Sequence, residues 1–331
     1  MKIGFIAMSG IRVCDQELLR LGLTLPGFVE RSKTIASLPS LGLLTLAGMT
    51  PRNHEVQYLE VLELSELKEL PAFDLVAISS LSAQIKEAYK LAERYRAIGV
   101  PVIMGGLHVT SLPQEAAKYA SAVVVGEGEA CWQKVIRDAE RGQLQKFYGA
   151  GEPSFDLAQA PMPAFELLDI SRYNCITVQT SRGCPHRCEI CASSILLTDK
   201  YKQKPMAKVL GEIDRILSIW GDPFLEFADD NTFINRRYWK ELLPELRKRR
   251  VRWFTETDIS VAEDEELLQM MHESGCAQIL IGLESPVDGG LKGIELRNDW
   301  KLRRRPHYID AIRKIQDRKS TRLNSSHGYI S

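Results

Sequence analysis

The sequence predicts an α/β protein with two domains, a doubly wound parallel sheet followed by the start of a βα barrel. The first observation is the length of 331 residues, which suits two domains that each bury a core of their own. The second is that short apolar runs alternate with helical patterns in both halves of the chain. The third is a proline-containing connector over 150–173, which has little periodicity and is typical of a linker. We therefore predict a first domain over 1–149 and a second over 174–316.

The first half contains five short runs of apolar or β-branched residues, which are typical of buried strands. Helical patterns separate them, and Ile85, Ala88 and Leu91 recur at helical spacing with charged residues on the other face. Sheets of this type bind ligands beyond the carboxyl ends of their strands. The irregular segment 9–35 is predicted to be a long first crossover of the kind that often covers a ligand. The predicted strands are 2–7, 55–61, 74–79, 101–104 and 122–125, and the predicted helices are 38–49, 82–98, 112–119 and 129–141.

The second half starts a new alternation of strands and helices. Four strand-like runs, each followed by a helical pattern, indicate the first four βα units of a barrel. The predicted strands are 175–179, 224–228, 252–256 and 278–283, and the predicted helices are 206–219, 236–249, 262–274 and 308–316.

The C-terminal residues 317–331 are left out of the predicted fold. Their first eleven letters, DRKSTRLNSSH, look like an in-frame translation of a sequencing-library adapter. We expect this tail to be non-native and the natural chain to be interrupted in the helix over 308–316. The alternative is a genuine polar tail. A barrel interrupted there lacks its later strands, and such a fragment can be inactive.

Composition and charge exclude several classes of protein. Lys and Arg total 43, as do Asp and Glu, so the zero net charge predicts no nucleic-acid partner. No run approaches the roughly 20 apolar residues that a membrane span needs. The N-terminal MKIGFIAMSG lacks the apolar segment and cleavage site of a signal peptide. We expect a cytoplasmic protein.

Three of the seven cysteines lie within eight residues of one another. Cys184, Cys188 and Cys191 directly follow a predicted strand with the spacing C-x-x-x-C-x-x-C. Cysteine thiolates hold iron–sulfur clusters, and three on one loop can hold a [4Fe–4S] cubane while one iron stays open. An odd count with one tight group favours a metal site in a reducing compartment over a disulfide framework. The alternatives are three unpaired thiols or structural zinc, which would need a fourth ligand such as His186 or Cys175.

The segment Q-T-S-R-G-C-P-H-R-C-E-I-C resembles the first barrel loop of radical S-adenosylmethionine enzymes. The resemblance continues through F-A-D-D-N at 227–231 and I-G-L-E-S at 281–285. With its N-terminal half, the chain is similar to the cobalamin-binding branch of that superfamily. The resemblance implies an N-terminal Rossmann-like cobalamin-binding domain followed by a truncated radical S-adenosylmethionine partial barrel.

The resemblance also implies a mechanism and its partners. S-adenosylmethionine chelates the open iron, and an electron from the cluster cleaves it to a 5′-deoxyadenosyl radical that abstracts hydrogen from the substrate. The cofactors carry this chemistry, while the protein places them and excludes water. The implied partners are a small-molecule or lipid-like substrate and an electron donor such as flavodoxin or ferredoxin.

Contacts to S-adenosylmethionine are implied at the carboxyl ends of the barrel strands, where barrel active sites are built. Asp229 and Asp230 follow the second barrel strand and could hold the ammonium group of the ligand. The alternative is a polar turn that caps the next helix. Glu284 and Ser285 end the fourth strand, and Glu284 could contact the ribose or amino acid part of the ligand. The alternative for Glu284 is a structural ion pair.

Cobalamin-binding domains of this type often carry D-x-H-x-x-G after the first strand and S-x-L and G-G after later ones. This chain has only the last two: Ser79 and Leu81 follow the third strand, and Gly105 and Gly106 follow the fourth. The serine could hydrogen-bond the nucleotide tail of cobalamin, and the glycines would let that tail approach the backbone. Gly126, after the fifth strand, is expected to contact the same tail. The missing histidine implies a cofactor without an imidazole ligand from the protein.

The leading function that the resemblance implies is cobalamin-dependent radical methylation of an unactivated carbon. One alternative keeps both cofactors for a rearrangement or cyclisation without methyl transfer. An alternative of another class is a non-catalytic metal-binding module. Two further features are given structural interpretations: His108 is expected to form a loop hydrogen bond instead of ligating cobalt, and K-L-R-R-R at 301–305 is interpreted as a solvated segment.

Overall fold

The computed structural model describes two compact units, Met1–Cys175 and Ile176–Ser331. Each unit contains a parallel sheet with helices between its strands. In the part of the chain that the structure describes, no helix is long and apolar enough to cross a membrane. The predicted crossover at 9–35 lies outside the described residues. The described residues are 1–8, 38–62, 64–192, 200–295, 298–317 and 322–325.

The first unit has a parallel sheet with the strand order β2-β1-β3-β4-β5-β6. The order reverses between β1 and β3, and such a switch point opens a crevice at the carboxyl ends of the strands. Ile3, Phe5 and Ile6 of β1 are fully buried, as expected for a strand covered on both faces. The predicted doubly wound sheet is confirmed. The strands are β1 (Lys2–Met8), β2 (Glu55–Glu60), β3 (Leu75–Ser80), β4 (Val102–Gly105), β5 (Ala122–Val124) and β6 (Phe147–Tyr148).

Two details of the first unit differ from the predictions. The sequence does not predict β6, because two residues are too few to show a periodicity. The helix expected over 112–119 is shorter, Pro113–Ala116, with Pro113 at its first position, which suits a residue without an N–H group. A short helix that the sequence does not predict, Leu107–Ser111, ends just before it. The helices are α1 (Leu41–Met49), α2 (Ile85–Ala97), α3 (Leu107–Ser111), α4 (Pro113–Ala116) and α5 (Trp132–Glu140).

The second unit has a parallel sheet with the order β13-β12-β11-β10-β7, in which neighbours in sequence are neighbours in space. This order is that of a partial βα barrel, and all four predicted strands are present. The sequence does not predict the short antiparallel pair β8–β9 that follows β7. The strands are β7 (Ile176–Val178), β8 (Ser181–Arg182), β9 (Lys202–Gln203), β10 (Phe224–Phe227), β11 (Arg252–Thr257), β12 (Cys276–Ile281) and β13 (Arg322–Ser325). The helices are α6 (Met206–Ile219), α7 (Arg236–Arg249), α8 (Glu265–Glu273), α9 (Trp300–Arg304) and α10 (Tyr308–Gln316).

Strand β13 lies in the tail that the predicted fold leaves out. It pairs in parallel with β12, from Gln278 opposite Arg322 to Ile281 opposite Ser325. The edge of a sheet offers unpaired N–H and C=O groups, with which any extended segment can pair. The adapter origin of residues 317–331 therefore stays a prediction.

An aromatic cluster fixes helix α7 against strands β10 and β11. The ring of Phe227 lies 5.1 Å from Trp239 and 5.5 Å from Trp253, edge to face in both pairs. All three side chains are fully buried, and edge-to-face pairs add to the free energy gained by burial. Because Phe227 ends β10, the cluster fixes the point at which Asp229 and Asp230 leave the sheet.

Candidate cluster and cofactor sites

The three cysteines of the predicted cluster site lie on one loop that follows β8. Gly183 and Arg187 have φ angles of +91° and +49°, so the loop turns sharply before each of the first two cysteines. The first of these turns favours glycine, because a Cβ atom disfavours positive φ. Cys191 donates its N–H to the carbonyl oxygen of Cys188 at 3.0 Å. The sequence thus folds locally so that a single loop carries three thiols.

The surroundings of the thiols fit an iron–sulfur cluster held by three thiolates. The Cys184 sulfur accepts the backbone N–H of His186, and Nδ2 of Asn231 lies 3.9 Å from it. Hydrogen bonds to the sulfurs are one of the features by which proteins tune such clusters. The pKa of Cys184 is raised to about 11, chiefly by burial and to a lesser degree by Cys188, against the lowering effect of the hydrogen bonds from His186 and Asn231. Burial also raises the pKa of Cys188, whereas the nearby Lys301 ammonium lowers it.

Among the residues that the structure describes, no group of three or more His, Cys, Asp or Glu side chains is arranged to hold a single metal ion. A cubane does not require that arrangement, because each cysteine binds a different iron.

Asp229 and Asp230 fasten the start of the cysteine loop. Asp229 is 2% exposed, and its Oδ1 accepts the N–H groups of Thr180 at 2.7 Å and Ser181 at 2.9 Å. Its Oδ2 accepts the hydroxyl of Thr180, and Oδ2 of Asp230 accepts the N–H of Gly183 at 2.6 Å. Burial raises the pKa of Asp229 to about 6, although the donors on the loop lower it. Asp229 thus binds the loop and does not cap the next helix, whose N-terminus is capped by Asn235. The contacts of Asp229 and Asp230 with S-adenosylmethionine stay predictions.

A second set of hydrogen bonds fixes the middle of the loop. His186 Nε2 lies 2.9 Å from Oδ2 of Asp258, and the His186 ring lies 4.3 Å from that of Trp300. Asn231 donates from Nδ2 to the same carboxylate oxygen at 2.7 Å. Burial alone would raise the pKa of Asp258, but hydrogen bonds from His186, Ser260 and Asn231 hold it well below its usual range. Asp258 was not predicted as a site residue, although its position just after β11 is where barrel sites are built.

Glu284 and Lys301 form a buried ion pair beyond β12. Lys301 Nζ lies 2.5 Å from Oε1 of Glu284, and Lys301 is 7% exposed. The prediction that 301–305 is a solvated segment is therefore wrong for Lys301, because its ammonium group has a buried carboxylate partner. The structure contains the ion pair that was the alternative for Glu284, whose contact with the ligand stays a prediction. Ser285 closes a local turn, in which its Oγ accepts the N–H of Val287 at 3.1 Å.

In the first unit, the predicted cobalamin-binding residues lie at one edge of the sheet. Strands β3, β4 and β5 are neighbours, so Ser79, Gly105 and Gly126 lie at or just beyond adjacent carboxyl ends. Gly106 has a φ of +103°, and a Cβ atom there would lie 3.0 Å from Oγ of Ser79. Gly126 has a φ of +81°, and a Cβ atom there would meet nothing within 4 Å. Leu81 is 43% exposed at the same edge. Backbone without a Cβ atom, as at Gly106 and Gly126, is suited to the close approach of a ligand.

His108 forms the loop hydrogen bond that the sequence predicts. Its Nδ1 lies 3.0 Å from Oγ of Ser82, and its Nε2 lies 3.7 Å from Oε1 of Glu115. Close by, Thr110 accepts the N–H of Gly126 through Oγ1 at 2.9 Å. The sequence gives no signal for this last bond, which ties α3 to the end of β5.

Two family models match the chain. The B12 binding domain matches residues 33–136, and the radical SAM superfamily matches residues 178–330. The matches follow the predicted order of the two domains. They confirm the predicted fold class and the predicted cofactors, namely cobalamin, S-adenosylmethionine and a [4Fe–4S] cluster.

Three curated relatives show what kinds of enzyme the chain is similar to. The uncharacterized methyltransferase sll1242 of Synechocystis is 31% identical over 264 residues, which is 77% of this chain and 49% of that protein. Bacteriochlorophyllide d C-12(1)-methyltransferase of Chlorobaculum tepidum is 27% identical over 257 residues, which is 74% of this chain and 55% of that protein. The anaerobic magnesium-protoporphyrin IX monomethyl ester cyclase of Synechocystis is 26% identical over 337 aligned positions. The match covers 89% of this chain and 63% of that protein. The chain thus spans between about half and two thirds of the length of these relatives.

A solved structure shares the fold. The cobalamin-dependent S-adenosylmethionine radical enzyme OxsB, with aqua-cobalamin bound, matches with a TM-score of 0.71 at 17% identity, covering 98% of this chain and 49% of that one. At this identity the likeness concerns the fold alone. The chain belongs to the cobalamin-binding branch of the radical S-adenosylmethionine superfamily.

Proposed function

We propose that this chain belongs to an enzyme that cleaves S-adenosylmethionine reductively and methylates an unactivated carbon with the help of cobalamin. The observation that carries the proposal is the loop of Cys184, Cys188 and Cys191, held beyond the strands of a partial barrel, in a chain that also has a B12-binding domain. The names of two relatives, both methyltransferases, favour methyl transfer.

In the second unit, the three cysteines would hold the [4Fe–4S] cluster. When bound, the cluster supplies the electron that cleaves S-adenosylmethionine, and cobalamin serves as the methyl carrier. The described residues keep the loop in place: Asp229 and Asp230 bind its start, and Asp258 binds its middle. We propose that S-adenosylmethionine lies beside this loop, with Asp230, Glu284 and Ser285 facing it.

In the first unit, we propose that the nucleotide tail of cobalamin lies along the carboxyl edge of the sheet. Gly105, Gly106 and Gly126 would let the tail approach the backbone, and Ser79 and Leu81 would flank it. Because His108 already contacts Ser82, we propose that cobalt takes no imidazole ligand from this loop.

The proposal also includes the partners and the compartment. A small-molecule or lipid-like substrate and a low-potential electron donor such as flavodoxin or ferredoxin would be required. A cluster bound by cysteine thiolates suits a reducing compartment, and the cytoplasm is the expected one.

A second candidate is a rearrangement or cyclisation that uses both cofactors without methyl transfer. The observation that favours it is the similarity to anaerobic magnesium-protoporphyrin IX monomethyl ester cyclase, which extends over 89% of this chain. The two candidates differ in the products formed from S-adenosylmethionine. Radical cleavage yields 5′-deoxyadenosine, whereas methyl transfer also yields S-adenosylhomocysteine.

The test uses the full-length gene product, reconstituted without oxygen and analysed for iron, cobalt and both products. The methylation proposal predicts iron and cobalamin in the protein, and both products after reduction. 5′-Deoxyadenosine alone would favour cyclisation, and iron without cobalt would exclude methylation. Replacement of all three cysteines by alanine should abolish cleavage. An iron-loaded protein with no cleavage activity would contradict both candidates and leave a metal-binding module.

A further inference from the structure

We infer that Lys301 is a positioning residue of the proposed S-adenosylmethionine site, where it holds Glu284 and places a positive charge beside the cluster ligand Cys188. The inference rests on the proposed function, because it requires a cluster at the three cysteines. No sequence motif points to Lys301, which lies in a segment that reads as solvated.

The first observation is the burial of the Lys301–Glu284 pair. The side chains are 8% and 14% exposed, and Nζ lies 2.5 Å from Oε1. The Lys301 backbone is also fixed, since its N–H donates to Oε1 of Glu295 at 3.1 Å and its carbonyl oxygen accepts the Tyr308 hydroxyl at 3.3 Å. Lys301 therefore approaches Glu284 from a helix that is fixed independently of the pair.

The second observation is the backbone of Glu284, with a φ of +65°. Non-glycine residues seldom adopt this conformation unless their surroundings impose it. Gly282 is part of those surroundings, because a Cβ atom there would lie 2.6 Å from Oε1 of Glu284 and 3.4 Å from Nζ of Lys301. The chain thus leaves space for this ion pair, which forms where Glu284 adopts an unusual backbone conformation.

The third observation is a link between Lys301 and the cysteine loop through Glu295. Cys188 and Glu295 form an antiparallel bridge, and Glu189 donates its N–H to the carbonyl oxygen of Ile294 at 2.7 Å. The segment that leads to Lys301 is therefore hydrogen-bonded to the loop at Cys188. Lys301 donates its own backbone N–H to Oε1 of Glu295, so Glu295 joins Lys301 to Cys188.

Two consequences follow for a loaded protein. First, Lys301 fixes Oε1 of Glu284, while Oε2 makes no hydrogen bond to the residues that the structure describes. This oxygen could accept a hydrogen bond from a ligand hydroxyl or ammonium group. Second, a cation beside a cluster stabilises the reduced form, which carries one more negative charge, and so raises the reduction potential.

The test compares Lys301→Met and Lys301→Arg with the wild type in the reconstituted full-length protein. Two quantities are measured: the midpoint potential of the cluster, by redox titration followed by electron paramagnetic resonance, and the dissociation constant of S-adenosylmethionine. For Lys301→Met we expect a more negative potential and binding weakened roughly tenfold, because Glu284 loses its partner. Lys301→Arg keeps the positive charge, so the midpoint potential of its cluster should stay close to that of the wild type.

Lys204→Met is the matched control. Lys204 forms another buried lysine–glutamate pair in this unit, with Nζ 2.8 Å from Oε1 of Glu212 and side chains 5% and 2% exposed. Its loss should destabilise the fold to a similar degree, yet leave the cluster potential at the wild-type value.

The outcomes separate this inference from the proposed function. A wild-type protein that takes up no iron would contradict both. If wild type and Lys301→Met bind equal amounts of iron and have the same midpoint potential and the same affinity for S-adenosylmethionine, the inferred role of Lys301 is contradicted. The proposed function then stands. If Lys301→Met does not fold, the double variant with Glu284→Gln is compared with Glu284→Gln alone. A more negative potential in the double variant supports the inference, and equal potentials contradict it.

Discussion

The two units prepare their candidate sites in opposite ways. At the carboxyl edge of the first sheet, Gly106 and Gly126 have positive φ angles and no side chains, and the space beside Gly126 is free. At the corresponding edge of the second sheet, Asp229, Asp258 and Glu284 are engaged by donors from the protein itself. The first site depends on space that is left free, and the second depends on bonds that hold a loop.

This difference suits the two cofactors. The nucleotide tail of cobalamin is a large preformed group, and backbone without Cβ atoms lets it lie close. A cubane needs three thiolates at fixed positions, and a loop can supply them only if its neighbours hold it. Substitutions should therefore act through steric exclusion in the first unit and through lost hydrogen bonds in the second.

The largest effect is expected from Gly126→Ala, which tests the open edge of the first unit. Gly126 has a φ of +81°, and a Cβ atom there would meet nothing within 4 Å. Gly99, which precedes β4 at the other end of the strands, has the same φ and the same free space. The backbone strain in Gly99→Ala should therefore be similar. If cobalamin occupies the space beside Gly126, Gly126→Ala weakens cobalamin binding at least about tenfold, whereas Gly99→Ala leaves it unchanged. Binding is measured by titration with hydroxocobalamin, and equal affinities for the two variants would disprove the steric account.

A smaller effect is expected from Asp258→Asn, which tests the bonds that hold the cysteine loop. The amide keeps the shape of the side chain but lacks the negative charge of the carboxylate, to which His186 and Asn231 are hydrogen-bonded. We expect a chelator to remove iron from this variant several times faster than from the wild type. Asp264→Asn is the control, because Asp264 caps α8 through the N–H of Leu267 at 3.0 Å. Equal rates of iron removal from the two variants would show that Asp258 contributes only to general stability.

The smallest effect is expected from Glu226→Gln and depends on pH. Burial raises the pKa of Glu226 from 4.5 to about 7, with a further contribution from Glu256. The folded state thus favours the protonated form of Glu226. The stability that the protonated carboxyl contributes is fully present below about pH 4.5 and is lost as the pH rises through 7. Glu226→Gln should stabilise the chain by about 1–2 kcal/mol at pH 8 and by much less at pH 5.

Urea unfolding at the two pH values measures this effect. Glu241→Gln, a substitution on the exposed face of α7, should show no such dependence on pH. A Glu226→Gln variant that gains equal stability at both values would contradict the assigned cause.

Much of the fold could be predicted from the sequence because local patterns determine it. The strands are short apolar runs, and the alternation with helices sets a parallel topology with few alternatives. The spacing of Cys184, Cys188 and Cys191 identifies the cluster loop for a similar reason, since all three donors lie on one short segment. The boundary between α3 and α4 at Leu112 could also be predicted in principle, because Pro113 is favoured at the first position of a helix.

The partners of the charged residues could not be predicted in the same way. Lys301 reads as one cation in a basic run, and only its position on α9 next to Glu284 shows that it is buried. Asp258 and His186 are 72 residues apart, so no local pattern joins them. Which carboxylates bind the loop and which face a ligand depends on tertiary contacts.

The most direct measurement is the iron and cobalamin content of three proteins: the wild type, the triple variant with Cys184, Cys188 and Cys191 replaced by alanine, and Gly126→Ala. Each is reconstituted under the same oxygen-free conditions. We predict that the triple variant loses iron and keeps cobalamin, and that Gly126→Ala loses cobalamin and keeps iron. If the triple variant retains the iron content of the wild type, the cysteine loop does not hold the cluster and the account is wrong.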